Sequence, residues 1–161
     1  MRPIISFLTL CTLIYLYIPN KKEVIDYRVA KEYQLVDNFI KDACKNNDWY
    51  FQPRSILVYL DDGIAKKGYD GLCYRLPFEF IIKINKGFWL RSTEEERIQL
   101  MAHELSHCRL RINHSNDDSN YMYITNYSVP FSKFIPQLFD NIYSTCRDNK
   151  SHSKWRKYLL F

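Results

Sequence analysis

The chain has 161 residues, which is enough for one domain and too few for two ordinary ones. Hydrophobic residues make up 47% of it and charged residues 25%, so the sequence can form a packed core. With only four glycines, it contains neither G-x-x-x-x-G-K nor G-x-G-x-x-G, which argues against a phosphate-binding loop. The net charge of +5 is modest and lies partly in the C-terminal tail, so nucleic acid is not an expected partner.

The N-terminal segment is apolar, because residues 4–18 carry no charge. As a helix, these fifteen residues would span about 22 Å, short of the roughly 30 Å hydrocarbon core of a bilayer. Three interpretations stay open: a signal peptide, a short uncleaved anchor that contacts the membrane, and a buried core helix. The first two predict an exported or membrane-anchored chain, in which residues 1–20 precede one domain over residues 21–161.

The first half of that domain is predicted to contain one helix and two strands. Apolar residues recur every three or four positions over residues 23–47, which indicates an amphipathic helix. Residues 55–60 and 78–84 are rich in β-branched and aromatic types and predict two strands. Residues 64–76 are mostly polar and contain two glycines, so we expect a loop between those strands.

A second helix is predicted to begin near residues 92–96, which read Ser-Thr-Glu-Glu-Glu. Either Ser92 or Thr93 can open a capping box, and the three acids suit the N-terminal end of the helix dipole. No proline or glycine follows in this segment, so the helix should run to about Leu110 or Arg111.

The last third is predicted to be irregular at first and then helical. Residues 113–130 are rich in Asn, Asp and Ser, which favours a loop. Residues 131–147 carry apolar side chains on one side at helical spacing, which predicts a closing helix.

Five cysteines occur, at Cys11, Cys44, Cys73, Cys108 and Cys146. Cys11 lies in the apolar segment, and the other four allow three pairings if the domain is exported. Buried free thiols and disulfides both stay open, and Cys108 is expected in the core or in a disulfide. No C-x-x-C occurs, so a zinc site made of cysteines has no support.

The motif that carries chemistry is H-E-x-x-H, at His103 to His107 on the second helix. Two histidines four residues apart lie on one side of a helix and can hold one zinc ion, while Glu104 can reach a water bound to it. A catalytic zinc ion takes three protein ligands. His114 is the candidate for the third, because the only later histidine, His152, lies in the charged tail.

The stretch from His103 to Tyr123 resembles the metzincin metallopeptidases, above all those of the matrixin type. In that family a third histidine opens an H-S-x-D stretch and a methionine follows eight residues later; here His114 and Met122 match in type and spacing. The resemblance implies a small α+β, zincin-like domain with a short mixed sheet, an active-site helix, a Met-turn and a C-terminal helix. It further implies Zn²⁺ as cofactor and Met122 packed beneath the histidines.

The resemblance also suggests supporting roles for residues after His114. Asp117 would either orient His114 or cap the loop, and Tyr123 or Tyr127 would assist the developing oxyanion. By analogy of fold, the strand at residues 78–84 would lie at an edge of the sheet and bind an extended substrate by strand addition.

The chain departs from the family pattern H-E-x-x-H-x-x-G-x-x-H in one important way. Six residues, none of them glycine, separate His107 from His114, where the family has five. Either the longer link turns through Asn113, since asparagine tolerates the left-handed conformation, or His114 is not the ligand.

The residue types predict a zinc endopeptidase that hydrolyses a protein or peptide substrate, with Glu104 as the general base. One alternative is an intracellular SprT-like zinc protease that acts on DNA-associated proteins. Another is a non-catalytic, zinc-stabilised binding module. The position of Met122 and the apolar N-terminal segment favour the first, and Glu104 argues against the last because a structural site needs no base.

Overall fold

The computed structural model describes residues 23–44, 55–123 and 129–146. Its strands are β1 (Glu23–Ile25), β2 (Ser55–Asp61), β3 (Gly71–Arg75) and β4 (Glu79–Asn85). Its α-helices are α1 (Ala30–Ala43), α2 (Lys86–Arg91), α3 (Glu94–Leu105) and α4 (Phe131–Cys146), with a 3₁₀ turn at Ala65–Lys67 and a π-helical turn at Ser106–Leu110. This mixture confirms the predicted α+β class.

The four strands form one mixed sheet in the order β1-β2-β4-β3. β1 pairs with β2 and β2 with β4 in parallel, whereas β3 and β4 form an antiparallel hairpin. The prediction that residues 78–84 form an edge strand was therefore wrong, because β4 has a neighbour on each side. The edge is β3, in a segment that the sequence suggested was a loop; its glycine and exposed side chains hide the alternation by which a strand is recognised.

The prediction of one helix over residues 23–47 was also wrong at its start. Residues 23–25 pair with β2 as a short strand, and the chain turns at Asp26, whose amide donates to the Val58 carbonyl at 2.8 Å. Val24 and Ile25 suit a strand as well as a helix, so periodicity alone could not separate the two. The expected end of this helix, near residue 47, lies outside the described residues.

The core lies between the sheet and the helices α1, α3 and α4. Each of these helices turns an apolar stripe inward, and fully buried examples are Ile40 on α1, Leu100 on α3 and Phe134 on α4. A disulfide between Cys44 and Cys146 joins the C-terminal ends of α1 and α4. The four cysteines outside the apolar segment therefore form bonds and are not free thiols, since Cys73 and Cys108 pair as well.

The predicted segment 1–20 lies outside the described residues. Among the helices that the structure describes, none has the length and apolar character needed to cross a membrane.

Candidate metal centre and active site

Helix α3 begins as its sequence predicts and so presents the H-E-x-x-H motif in a fixed orientation. Thr93 is the N-cap: its side chain accepts from the Glu96 amide at 3.3 Å, and Glu96 accepts from the Thr93 amide at 2.7 Å. This capping box satisfies two amides that the first turn of a helix leaves unpaired. His103 and Glu104 lie in the last α-helical turn.

His107 lies in the π-helical turn Ser106–Leu110, which continues α3, so the helical segment ends at Leu110 as predicted, while its last turn is π-helical. The chain then reverses at Arg111, which has a φ of 59° and is the only non-glycine residue with positive φ in the described part of the chain. The prediction that Asn113 makes this reversal was therefore wrong. Both Arg111 and Ile112 donate their amides to the Ser106 carbonyl.

The π-helical turn explains how the longer link between His107 and His114 is accommodated. A π-turn closes i→i+5 hydrogen bonds and holds more residues than an α-turn, so it can absorb one extra residue without displacing the next part of the chain. Arg111 takes the left-handed position that a glycine would occupy at lower cost; for an L-residue that conformation costs about 1 kcal/mol.

The two helical histidines are oriented by backbone carbonyls. His103 Nδ1 lies 2.9 Å from the Tyr121 carbonyl oxygen, and His107 Nδ1 lies 2.6 Å from that of Ile112. Because a carbonyl can only accept, each Nδ1 carries the proton and each Nε2 keeps its lone pair. This is the tautomer that a metal ligand needs.

The structure brings the three predicted ligand histidines together. Their Nε2 atoms are 3.0 Å apart for His103 and His107, 3.2 Å for His103 and His114, and 3.0 Å for His107 and His114. Three nitrogens at these separations can all lie about 2.1 Å from one zinc ion. Burial lowers the pKa of each ring, and that of His103 falls to about 3, so the rings are neutral near pH 7 as metal binding requires. The donor set therefore fits zinc.

Glu104 lies beside these histidines with only 2% of its surface exposed. Burial raises the pKa of its carboxyl group to about 8. The side chain packs against Gly71 of β3, where a Cβ added to the glycine would lie 2.7 Å from Glu104 Cδ. Any larger residue at position 71 would require the Glu104 side chain to shift. Sequence reasoning missed Gly71 because it assigned the segment to a loop.

The turn around Met122 is tied to both the third histidine and the helix. The Met122 carbonyl accepts from the Ser115 amide at 2.9 Å, next to His114, and the Met122 amide donates to Asn120 Oδ1 at 2.9 Å. The preceding residue, Tyr121, supplies the carbonyl that orients His103. Met122 itself is 1% exposed. The role of Tyr121 was missed in the sequence because it depends on a backbone oxygen.

Asp117 and Tyr123 take structural positions in the loop that follows His114. Asp117 Oδ1 accepts from the Ser119 amide at 2.9 Å and from the Ser119 hydroxyl at 2.7 Å, which is the loop-capping arrangement. Tyr123 pairs with Ser115 in an isolated β-bridge. Tyr127 lies outside the described residues.

A buried ion pair supports the π-helical turn from behind. Arg109 Nε lies 3.1 Å from Asp37 Oδ1 of α1, and Arg109 Nη2 lies 3.3 Å from the Tyr33 hydroxyl. Arg109 and Asp37 are 5% and 1% exposed. The sequence does not reveal this contact, because the two residues are 72 positions apart and both would ordinarily lie at the surface.

The site opens into a cleft of about 350 Å³. Glu104 and the three histidines form one wall of the cleft, and residues 68–70 with β3 form the other. The Cys73–Cys108 disulfide joins these walls, since Cys73 is on β3 and Cys108 follows His107. Because β3 is an edge strand, the cleft runs along the free edge of the sheet.

Residues 56–129 match a family model described as "Putative phage metallopeptidase". No curated protein and no solved structure matches the chain. The matched segment runs from β2 past Met122 and contains Glu104 and the three converging histidines. Over this segment the chain is therefore similar to this metallopeptidase family, and the same segment holds the histidine cluster that could bind a metal ion.

Proposed function

We propose that the chain is a zinc-dependent endopeptidase in which His103, His107 and His114 hold the metal ion and Glu104 transfers the proton. One observation carries this proposal: three Nε2 atoms lie within 3.2 Å of one another beside a buried carboxyl group in an open cleft. A closed structural zinc site would take a fourth protein ligand. Within the described residues, the cluster that could hold a metal consists of three histidines.

When bound, zinc would lower the pKa of a water molecule and polarise a substrate carbonyl. Glu104 would accept the proton of the attacking water and deliver it to the leaving amine. Burial favours its protonated form, and a cation nearby would favour the ionised form. These opposing effects suit a group that must both take up and release a proton near neutral pH.

The finer assignment that we propose is a metzincin-like enzyme with a modified zinc-binding helix. The buried Met122 and its hydrogen bond to Ser115 support it. The π-helical turn and Arg111 would replace the shorter, glycine-containing link of the family pattern.

An extended peptide would bind along β3. The Asn85 amide donates to the Asp70 carbonyl and the Leu76 amide to the Glu79 carbonyl. By the two-residue alternation of an antiparallel ladder, residues 72 and 74 also bond to β4, while Gly71, Cys73 and Arg75 direct their peptide groups outward. These outward groups would bind a peptide by strand addition, the role that analogy of fold had assigned to residues 78–84.

We further propose that the protein is exported or membrane-anchored. The disulfides Cys44–Cys146 and Cys73–Cys108 would persist in an oxidising compartment and not in a reducing cytosol. The apolar residues 4–18 point the same way. An intracellular protease of the SprT type is disfavoured by these disulfides, and a non-catalytic module is disfavoured by Glu104.

The decisive experiment combines metal analysis with hydrolysis of a peptide library by the purified full chain. Wild type is expected to bind about one zinc ion per chain and to cleave internal peptide bonds. Glu104→Gln should retain the zinc ion and lose about 10²- to 10⁴-fold in kcat/KM, because the amide cannot accept the proton. A chain that binds zinc and cleaves no peptide would instead be the binding module.

A further inference from the structure

Arg75 lies at the C-terminal end of β3, on the same wall of the cleft as Gly71 and Cys73. Side chains alternate along a strand, so these three residues face one side of the sheet. Gly71 meets the carboxyl group of Glu104, and Cys73 is bonded to Cys108. Arg75 therefore projects toward the active-site side of β3, about 13 Å along the strand from Gly71.

The guanidinium group of Arg75 has no hydrogen-bond or ion-pair partner among the described residues, and the residue is exposed. Three other arginines of the described residues form ion pairs: Arg28 with Asp26, Arg97 with Glu32 and Arg109 with Asp37. Paired arginines stabilise the fold, whereas a cation without a protein partner at a cleft is available to an anionic ligand.

Arg75 lines the same cleft as His107 and Glu104. Neither acidic residue of that cleft pairs with Arg75 in the described part of the chain: Glu104 is buried against Gly71, and Asp70 accepts from Asn85 Nδ2 at 3.1 Å. The positive charge of Arg75 is therefore available at the cleft.

We propose that Arg75 determines substrate specificity by binding an acidic side chain of the peptide substrate. This inference rests on the proposed peptidase function. Arginine suits the task because its planar guanidinium group can hold a carboxylate through two parallel hydrogen bonds. No covalent step is involved, so the effect is on binding and on the position of the peptide in the cleft.

The direction of β3 also predicts on which side of the scissile bond the acidic substrate residue lies. β3 runs from Gly71, beside Glu104, to Arg75. A peptide that pairs antiparallel with β3 runs in the opposite direction, so its residue beside Arg75 precedes its residue beside Gly71. The acidic residue is therefore expected on the amino-terminal side of the scissile bond. A peptide bound parallel to β3 would instead bring its carboxyl-terminal part to Arg75.

The test uses the full chain loaded with zinc and a set of internally cleaved peptides. A single Glu is moved through the four positions before and the four positions after the scissile bond, and each peptide has a partner with Gln at that position. At one or two of the four positions before the bond, wild type should cleave the Glu peptide with a kcat/KM about five- to tenfold higher than that of the Gln peptide, mainly through a lower KM. Arg75→Gln should abolish this preference, and Arg75→Glu should reverse it in favour of the Gln peptide at the same positions.

Arg91→Glu is the matched control, because it makes the same charge change on α2, at an exposed residue outside the cleft. Its Glu-to-Gln ratio should equal that of wild type. Binding of the same peptides to zinc-loaded Glu104→Gln, followed by fluorescence anisotropy, gives a readout that does not require turnover. The acidic peptide should bind more tightly, and the difference should shrink at high salt.

The outcomes separate the two proposals. Equal cleavage and equal binding of Glu and Gln peptides at all positions would overturn the role of Arg75 while leaving the peptidase function intact. A preference that survives in Arg75→Gln would also overturn it. A preference confined to positions after the scissile bond, or to a free carboxyl terminus, would overturn the proposed orientation. No cleavage of any peptide, together with tighter binding of acidic ones, would overturn the peptidase function alone.

Discussion

Gly71 and Glu104 are in van der Waals contact across the cleft, with no space between them for a side chain at position 71. One belongs to the edge strand along which a peptide would lie, and the other is the proposed base. The contact therefore sets the distance between the substrate-binding edge and the proton acceptor, and it makes position 71 a direct test of the site.

Gly71→Ala is expected to displace the Glu104 carboxyl group, because the new Cβ would lie 2.7 Å from Glu104 Cδ. A shift of about 1 Å in a catalytic group can cost on the order of 100-fold, so kcat/KM should fall by about ten- to 100-fold. Zinc content should not change, because the histidines are not touched. Gly87→Ala, on helix α2 and against the flexible end of Arg91, is the control and should leave kcat/KM unaltered. Wild-type kinetics in Gly71→Ala would show that the contact has no functional role.

His114→Ala should weaken zinc binding, because it removes one of three converging nitrogens. Loss of a residue that supports a ligand lowers metal affinity by roughly 10- to 100-fold, and loss of a ligand itself should lower it further. The variant should therefore lose its zinc on dialysis against a weak chelator. His152→Ala is the matched control and should retain its zinc. Metal analysis of the dialysed proteins decides the matter: full occupancy in His114→Ala would remove this residue from the ligand set.

Arg111→Gly is expected to be neutral or stabilising by up to about 1 kcal/mol, because glycine adopts a φ of 59° without strain. Arg111→Val should destabilise by about 1 to 2 kcal/mol, since a β-branched residue tolerates this conformation poorly. Asn113→Val is the control: Asn113 does not have positive φ, so the change should cost little. Urea denaturation of the three variants would give these differences, and equal costs at positions 111 and 113 would contradict the assigned turn.

One disulfide, Cys44–Cys146, should mainly support stability, and the other, Cys73–Cys108, should mainly support activity. In the chain-entropy description, Cys44–Cys146 spans 102 residues and contributes about 5 kcal/mol, while Cys73–Cys108 spans 35 and contributes about 4 kcal/mol. Replacing the first pair by serines should therefore lower the thermal midpoint more. Replacing the second should lower kcat/KM more at a temperature where both variants are folded, because it frees β3 from the residue that follows His107. Equal losses of activity would show that the tie across the cleft does not matter for turnover.

Several helices and strands could be predicted from the sequence because the spacing of their own apolar residues, or their own cap residues, is enough to specify them. The predicted bounds of strand β2 and helix α4 agree with the structure within one residue at each end that can be compared. The residue types predicted a capping box at Ser92 or Thr93, and the structure has it at Thr93. In each case the apolar period or the cap lies within the element itself. Strand β3 was missed for the converse reason. It is a five-residue edge with a glycine and exposed side chains, and it becomes a strand through its pairing with β4.

The sequence by itself determined the chemistry of the candidate site: which imidazoles and which carboxyl group are available, and that two of the histidines share a helix face. Those properties follow from residue type and from the helical repeat. Only the tertiary structure decided whether His114 could join them, because a π-helical turn and a left-handed Arg111 absorb the extra residue in the link. It also decided that β3, with Gly71 and Arg75, faces the site. Both outcomes depend on contacts between segments far apart in the chain, which no local pattern encodes.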